Sequence, residues 1–180
     1  MIRFSIITVC YNAAACLPHT LDSVMEQTYP YVEHVIIDGC STDGSIGILE
    51  KYREQAESDE NNFHDVHIVS EPDRGLYDAM NKGIQHATGD WINLLNCGDA
   101  YCSEKSLGDA IHTCDVDNVD EISGNSIRLQ LGHTINDIAS DDVRGLDYAP
   151  VYRHGSSLVR AQIHKENLVD LSKKKKYGYA

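Results

Sequence analysis

A chain of 180 residues, 42% apolar and 24% charged, has room for one domain with a proper core and hardly for two, and it is not disordered. Its formal net charge of −13 excludes nucleic acid as the main partner, because phosphate backbones demand a basic surface. No run approaches the ~18 apolar residues of a membrane-spanning helix. The opening MIRFSIITVC is too short and too strand-like for a secretory signal, so a cytoplasmic location is expected. An anionic ligand on so acidic a protein needs a local cation or helix N-termini to overcome repulsion. The six cysteines form no C-x-x-C pair and sit mostly in or beside apolar runs, which reads as reduced thiols.

FSIITV (residues 4–9) is a short β-branched run, the pattern of a strand covered on both faces. After the polar Tyr11 and Asn12, residues 15–27 read as a helix with Pro18 in its first turn. VEHVIID (residues 32–38) is a second strand, followed by the N-cap candidates Ser41 and Asp43 and a helix carrying Ile46, Leu49 and Tyr52 or Arg53 at helical spacing. ESDENNFHD (residues 57–65) is a polar connector to a third strand, VHIVS (residues 66–70). GLYDAMNKGIQHA then places Leu76, Met80, Ile84 and Ala87 on one helical stripe, and WINLL (residues 91–95) is a fourth strand. Strands alternating with helices predict an α/β fold with a mostly parallel sheet and helices on both faces. Beyond Cys102, residues 103–114 read as a helix, 121–131 as one or two strands and 154–160 (HGSSLVR) as another, while 132–150 are ambiguous.

In such a sheet, ligands sit beyond the carboxyl ends of the strands. Tyr11 and Asn12 follow the first strand; Asp38, Ser41 and Asp43 the second; Glu71 and Asp73 the third; Asn96 and Asp99 the fourth. One such residue is turn chemistry, but repeated carboxylates on a shared edge define a site. Neither G-x-G-x-x-G nor G-x-x-x-x-G-K-[ST] follows any strand, which disfavours a dinucleotide or phosphate-loop enzyme. What remains is a divalent ion, Mg²⁺ or Mn²⁺, bridging a carboxylate at Asp99 and a diphosphate that supplies much of the other coordination.

SIITVCYN, IIDGCSTDGS and EPDRGLYDAMNKGIQHATGDWINLLNCGD, in this order, resemble the family 2 glycosyltransferases, most of all the bacterial members that build surface polysaccharides. The resemblance covers about the first hundred residues, and HGSSLVR matches a later block more loosely. It implies a GT-A (Rossmann-like) fold, a nucleotide-diphosphate sugar donor (a UDP-sugar), a divalent metal, and transfer with inversion to a hydroxyl of a glycan or lipid-linked acceptor in polysaccharide or lipopolysaccharide synthesis. By position, Tyr11, Asn12 and Asp38 would line the nucleoside pocket, with Ser41 capping the following helix beside it. Asp73, Tyr77, Asp78 and Asn81 would lie along ribose and sugar, and Asn96, Gly98 and Asp99 match the D-x-D region, with Asp99 on the metal. NCGD departs from that region, since many relatives carry two or three carboxylates there. The family's general base has no counterpart at its place before Ala180: either the chain is truncated, the favoured expectation, or one of the earlier carboxylates is the base. Residues 1–102 are expected as the donor-binding half of a single domain and 103–180 as its acceptor side.

Bland roles stand beside these. Asp43 reads first as a cap, Asp78 and Lys82 as an i,i+4 ion pair, and His154 as structural. Lys173 to Lys176 read either as a solvated tail or as a peripheral contact with anionic lipid. The alternatives to a transferase are a catalytically impaired nucleotide-sugar-binding module and a sugar nucleotidyltransferase; the second wants a glycine-rich basic loop that VCYNAAAC lacks.

Overall fold

The structure is a computed structural model and describes residues 1–58, 64–130, 133–138 and 154–171. Four parallel strands, β1 (Phe4–Cys10), β2 (Val32–Asp38), β3 (Asp65–Ser70) and β4 (Trp91–Leu94), pair in the order β3-β2-β1-β4. Beyond β4, β8 (Ser157–Arg160) and then β5 (Glu121–Ser123) continue the sheet with antiparallel pairing. Separately, β6 (Ser126–Gln130) and β7 (His133–Asp137) make a two-stranded antiparallel ribbon.

The predicted helices are α1 (Leu17–Met25), α2 (Ser45–Ser58), α3 (Leu76–His86) and α4 (Ser106–Thr113), joined by α5 (Ala161–Glu166). Alternation along the strands sorts them into layers. Ile7, Val9, Val35 and Ile37 pack with Met80 and Ile84 of α3 and Ala161 of α5. The opposite parity faces α1, α2 and α4: Cys10 and Ile36 meet Leu17, Leu21, Leu49 and Tyr52, while Phe4, Ile6 and Trp91 meet Val24 and Leu107. The chain thus covers one face while moving from β1 to β3, then crosses back over the other face through α3 to reach β4. Right-handed crossovers require this change of face when the direction reverses. The reversal falls between β1 and β4, and an open α/β sheet takes its ligand beyond the carboxyl ends of the strands at such a point.

Two details differ from the sequence expectation, and one alternative it left open is resolved. The α3 stripe starts at Met80, not at Leu76, which is 41% exposed because it lies in the first turn before the helix meets the sheet. His154–Ser156 is a 3₁₀ turn, so the strand read as HGSSLVR shortens to β8. Arg53 is exposed, and Tyr52 takes the core position. The connector at 59–63, most of 132–150 and the lysines at 173–176 lie outside the described residues.

Two buried polar groups hold the sheet. Glu33 accepts hydrogen bonds from Ser5, from the Thr88 N–H and hydroxyl and from the Gly89 N–H. Burial alone would raise its pKa, yet those bonds outweigh it and hold the carboxyl below its ordinary value. His34, fully buried, lies between Tyr52 Oη (2.8 Å from Nδ1) and Thr8 Oγ1 (2.9 Å from Nε2). The Thr8 hydroxyl spends its proton on the Leu95 carbonyl at 2.9 Å, so Nε2 must donate to Thr8 and Nδ1 must accept from Tyr52. Every member is satisfied with His34 neutral, and burial pulls its pKa down to about 3. Among the described residues no helix is long and apolar enough to cross a membrane.

Candidate functional site

At the carboxyl edge, Cys10, Asp38 and Ser70 stand level on neighbouring strands. Asp38 is fully buried. Its Oδ2 accepts from the Ser41 N–H (3.0 Å) and the Ser70 hydroxyl (2.7 Å), and its Oδ1 takes the Cys10 thiol at 3.7 Å. Burial opposes ionisation, but these donors prevail and hold the carboxyl below its usual range. The Cys10 thiol is pushed up to about 12 by burial and by Asp38 beside it. Asp38 therefore clamps the loops after β1, β2 and β3 from beneath the rim.

The loop after β1 is stitched to the loop after β2. Ser41 Oγ accepts the Asn12 N–H (2.7 Å), Asn12 Oδ1 accepts the Thr42 N–H (2.8 Å), and Asp43 Oδ2 accepts the Ala14 N–H (2.9 Å). Asp43 Oδ1 also receives the Ser45 N–H (3.1 Å) and hydroxyl (2.6 Å), so Asp43 is the acceptor at the start of α2. The cap expected from Ser41 is corrected accordingly, its hydroxyl being aimed back at Asn12. Asn12 and Cys40 hold φ of 50° and 64°. Left-handed backbone at non-glycine residues persists only where surrounding bonds fix it, and such strain gathers at ligand sites.

Tyr11 is 65% exposed. A Cβ on Gly39 would fall 3.2 Å from the Tyr11 ring and 2.6 Å from Asp73 Oδ2, so these two side chains converge over Gly39. Asp73 Oδ1 meanwhile takes the Gly75 N–H at 2.7 Å. Tyr77, half-buried, packs against the α3 core.

Two of the expected donor contacts are engaged elsewhere. Asp78 accepts from the Arg74 N–H (3.0 Å) and guanidinium (2.8 Å), and this pairing holds its carboxyl low; Lys82, the partner expected from spacing, is 4.0 Å away and bonds Glu71 at 2.8 Å. Asn81 makes a two-bond clamp with Val169, donating to its carbonyl (2.9 Å) and accepting its N–H (2.8 Å). Its amide anchors the segment after α5.

After β4, the 96–99 turn is closed by the Asp99 N–H on the Asn96 carbonyl at 2.9 Å. Gly98 has φ of 100°, a conformation that a side chain would strain, and open space faces it. Thr20, buried in α1, grips the turn twice: its hydroxyl donates to the Asp99 carbonyl (2.7 Å) and accepts the Gly98 N–H (2.9 Å). The Asp99 side chain is exposed. From the other side, the His154–Ser156 turn approaches so closely that a Cβ on Gly155 would sit 3.3 Å from Asp99 Oδ2. Asn93 fixes that approach, donating to the His154 (3.0 Å), Gly155 (3.3 Å) and Ser157 (2.8 Å) carbonyls while accepting the Tyr101 hydroxyl (2.7 Å).

Thr20 and Asn93 were absent from the sequence reading. Asn93 had a signal, a lone amide inside the apolar WINLL; Thr20 had none, being one more residue of a helix. Among the described residues no three His, Cys, Asp or Glu side chains are grouped to hold a metal. A resident all-protein metal centre does not fit this edge. A Mg²⁺ or Mn²⁺ taking one carboxylate from Asp99 and its other ligands from phosphate and water does.

The fold has known counterparts. The structure superposes with a TM-score of 0.70 on a mannosyltransferase from Pyrobaculum calidifontis in complex with GDP-Man and Mn²⁺, at 20% identity, covering 92% of this chain and 46% of that one. On residues 1–349 of TarS from S. aureus in complex with UDP-GlcNAc the TM-score is 0.65 at 22% identity, covering 92% and 47%. The fold is GT-A.

The profile of Glycosyl transferase family 2 matches residues 5–136, and the chain belongs to that family. It is 39% identical over 104 residues to a PGL/p-HBAD biosynthesis glycosyltransferase of Mycobacterium bovis, covering 58% of this chain and 38% of that protein. It is 35% identical over 102 residues to the putative teichuronic acid biosynthesis glycosyltransferase TuaG of Bacillus subtilis, covering 56% and 38%. The chain thus spans well under half the length of these curated relatives.

Proposed function

We propose that this chain is the donor-binding part of an inverting glycosyltransferase that moves a sugar from a nucleotide diphosphate, a UDP-sugar, to a hydroxyl of a glycan or lipid-linked acceptor in surface-polysaccharide synthesis. One arrangement supports this reading: Tyr11, Asn12 and Asp73 stand in the loops after β1 and β3 and Asp99 in the turn after β4, all beyond the carboxyl ends of strands whose order reverses between β1 and β4. Exposed Tyr11 offers a face for the base. Asp38 serves the nucleoside pocket from below, by fixing Ser41 and the Asn12 loop. Asp78 and Asn81 act through the framework, since their polar atoms hold Arg74 and Val169.

Asp99 would hold Mg²⁺ or Mn²⁺, which when bound neutralises charge on the departing diphosphate. Thr20 holds the turn that carries that carboxylate, and Asn93 keeps the 154–156 turn against it. Removing the acceptor proton needs a base, and its absence typically costs ~10²–10⁴-fold in rate. Donor binding needs no base and is the activity to assay. The relatives named for PGL/p-HBAD biosynthesis and for teichuronic acid biosynthesis support the acceptor class.

The test is a thermal-shift screen of nucleoside diphosphates and their sugars with and without manganese. A true donor at ~100 times its dissociation constant adds roughly 2.7 kcal/mol of stability. A uridine compound that raises the melting temperature only with manganese is the expected result. A flat screen across all nucleotides removes the reading.

A further inference from the structure

The sulfurs of Cys16 and Cys97 are 3.4 Å apart, although 81 positions separate them in the chain. Among the described residues no other two thiols come within hydrogen-bonding distance. Packing does not explain the contact, because Cys16 is exposed at the N-cap of α1, and its thiol also reaches the Ala13 carbonyl at 3.5 Å. Cys97 is half-buried, and it directly precedes Gly98 and Asp99. Cys16 and Thr20 lie one helical turn apart. The first touches Cys97, and the second holds the Gly98 N–H and the Asp99 carbonyl. One face of α1 therefore grips three consecutive residues of the turn.

We propose that Cys16 and Cys97 form a reversible disulfide site, oxidised by a small organic disulfide, that bolts α1 to the Asp99 turn. An S–S bond of about 2.0 Å requires the sulfurs to close by roughly 1.4 Å, within reach of rotation about two side chains when one of them is in solvent. The accessible Cys16 thiolate attacks a sulfur of the small disulfide, forms a mixed disulfide and releases one small thiolate. Cys97 then gives up its proton and attacks Cys16 Sγ, expelling the second small thiolate. The protein loses two protons and two electrons, and the small disulfide is reduced to two thiols. The cross-link stands independently of the donor-binding reading; only its consequence for metal binding rests on Asp99's proposed role.

The test incubates the full chain with oxidised glutathione, followed by alkylation, intact mass and a non-reducing peptide map. The expected product is lighter by two hydrogens, has the peptides of Cys16 and Cys97 linked, and reverts with dithiothreitol. Cys97→Ser should stop at the mixed disulfide on Cys16, and Cys16→Ser should leave Cys97 unlinked. Amide exchange at Gly98 and Asp99 should slow several-fold on oxidation. A wild-type protein that stays fully alkylatable, stops at the mixed disulfide, or links Cys97 to Cys10 instead overturns the proposal. So does unchanged exchange at Gly98 and Asp99 in the linked form. None of these outcomes bears on donor binding, which Cys16→Ser would retain.

Discussion

At the scale of single residues, the site depends on how few atoms hold Asp99 in place. Thr20 supplies two hydrogen bonds to the turn from one buried hydroxyl. Thr20→Val keeps the volume and removes both, leaving a donor and an acceptor short of a partner at a cost of about 1–3 kcal/mol. Urea unfolding should show that loss, and metal-dependent nucleotide affinity should fall with it; a variant as stable as the parent would mean that the turn holds itself. Asp38 teaches the converse. Its position at the end of a buried strand marks it as special, but only the structure reveals that Ser41, Ser70 and Cys10 already fill its lone pairs.

At the scale of elements, the decisive contact is that of α3 on the sheet. Gly83 presses its backbone on β1, and a Cβ there would lie 2.3 Å from Ile7 Cγ2. Alanine gains up to ~1 kcal/mol in helix propensity, while overpacking a core costs about 1–3 kcal/mol. The clash wins, so Gly83→Ala should lower the urea midpoint; an unchanged or raised midpoint would show that α3 shifts freely. The α3 helix also shows what a sequence conceals. The strands β1, β2 and β4 were legible because runs covered on both faces are apolar without interruption. The exposure of Leu76 was not, because periodicity says which face is apolar but not where the sheet begins. Neither was the role of Asn81, whose partner Val169 is 88 residues distant. Antiparallel β8 is four residues long, and its placement depends on pairing with β4 and β5, which no local pattern encodes.

At the scale of the whole molecule, stability and function respond to different titrations. The folded state keeps His34 neutral down to about pH 3, whereas an unfolded histidine takes up its proton near 6.5. Its contribution is complete above that value and declines as pH falls from 6.5 toward 3, by up to about 1.4 kcal/mol per pH unit. His64 and His164, also lowered by burial, add in the same direction. Glu33 and Asp38, held low by hydrogen bonds, keep their contributions above the ordinary carboxylate range and lose them as pH drops through their folded values. Unfolding free energy should be level near neutrality and fall below about pH 6.5. The fall should be shallower in His34→Gln; equal slopes in the two proteins would contradict the neutral Tyr52–His34–Thr8 chain.

The proposed function rests on Asp99, in the turn after β4, holding a diphosphate through a cation. Calorimetric titration of UDP into the wild-type chain and into Asp99→Asn, each with and without Mn²⁺, measures that directly. Wild type should bind with manganese and far more weakly without it, while Asp99→Asn should bind weakly in both conditions. Equal manganese-dependent binding by the two proteins, or none by the wild type, would contradict the account.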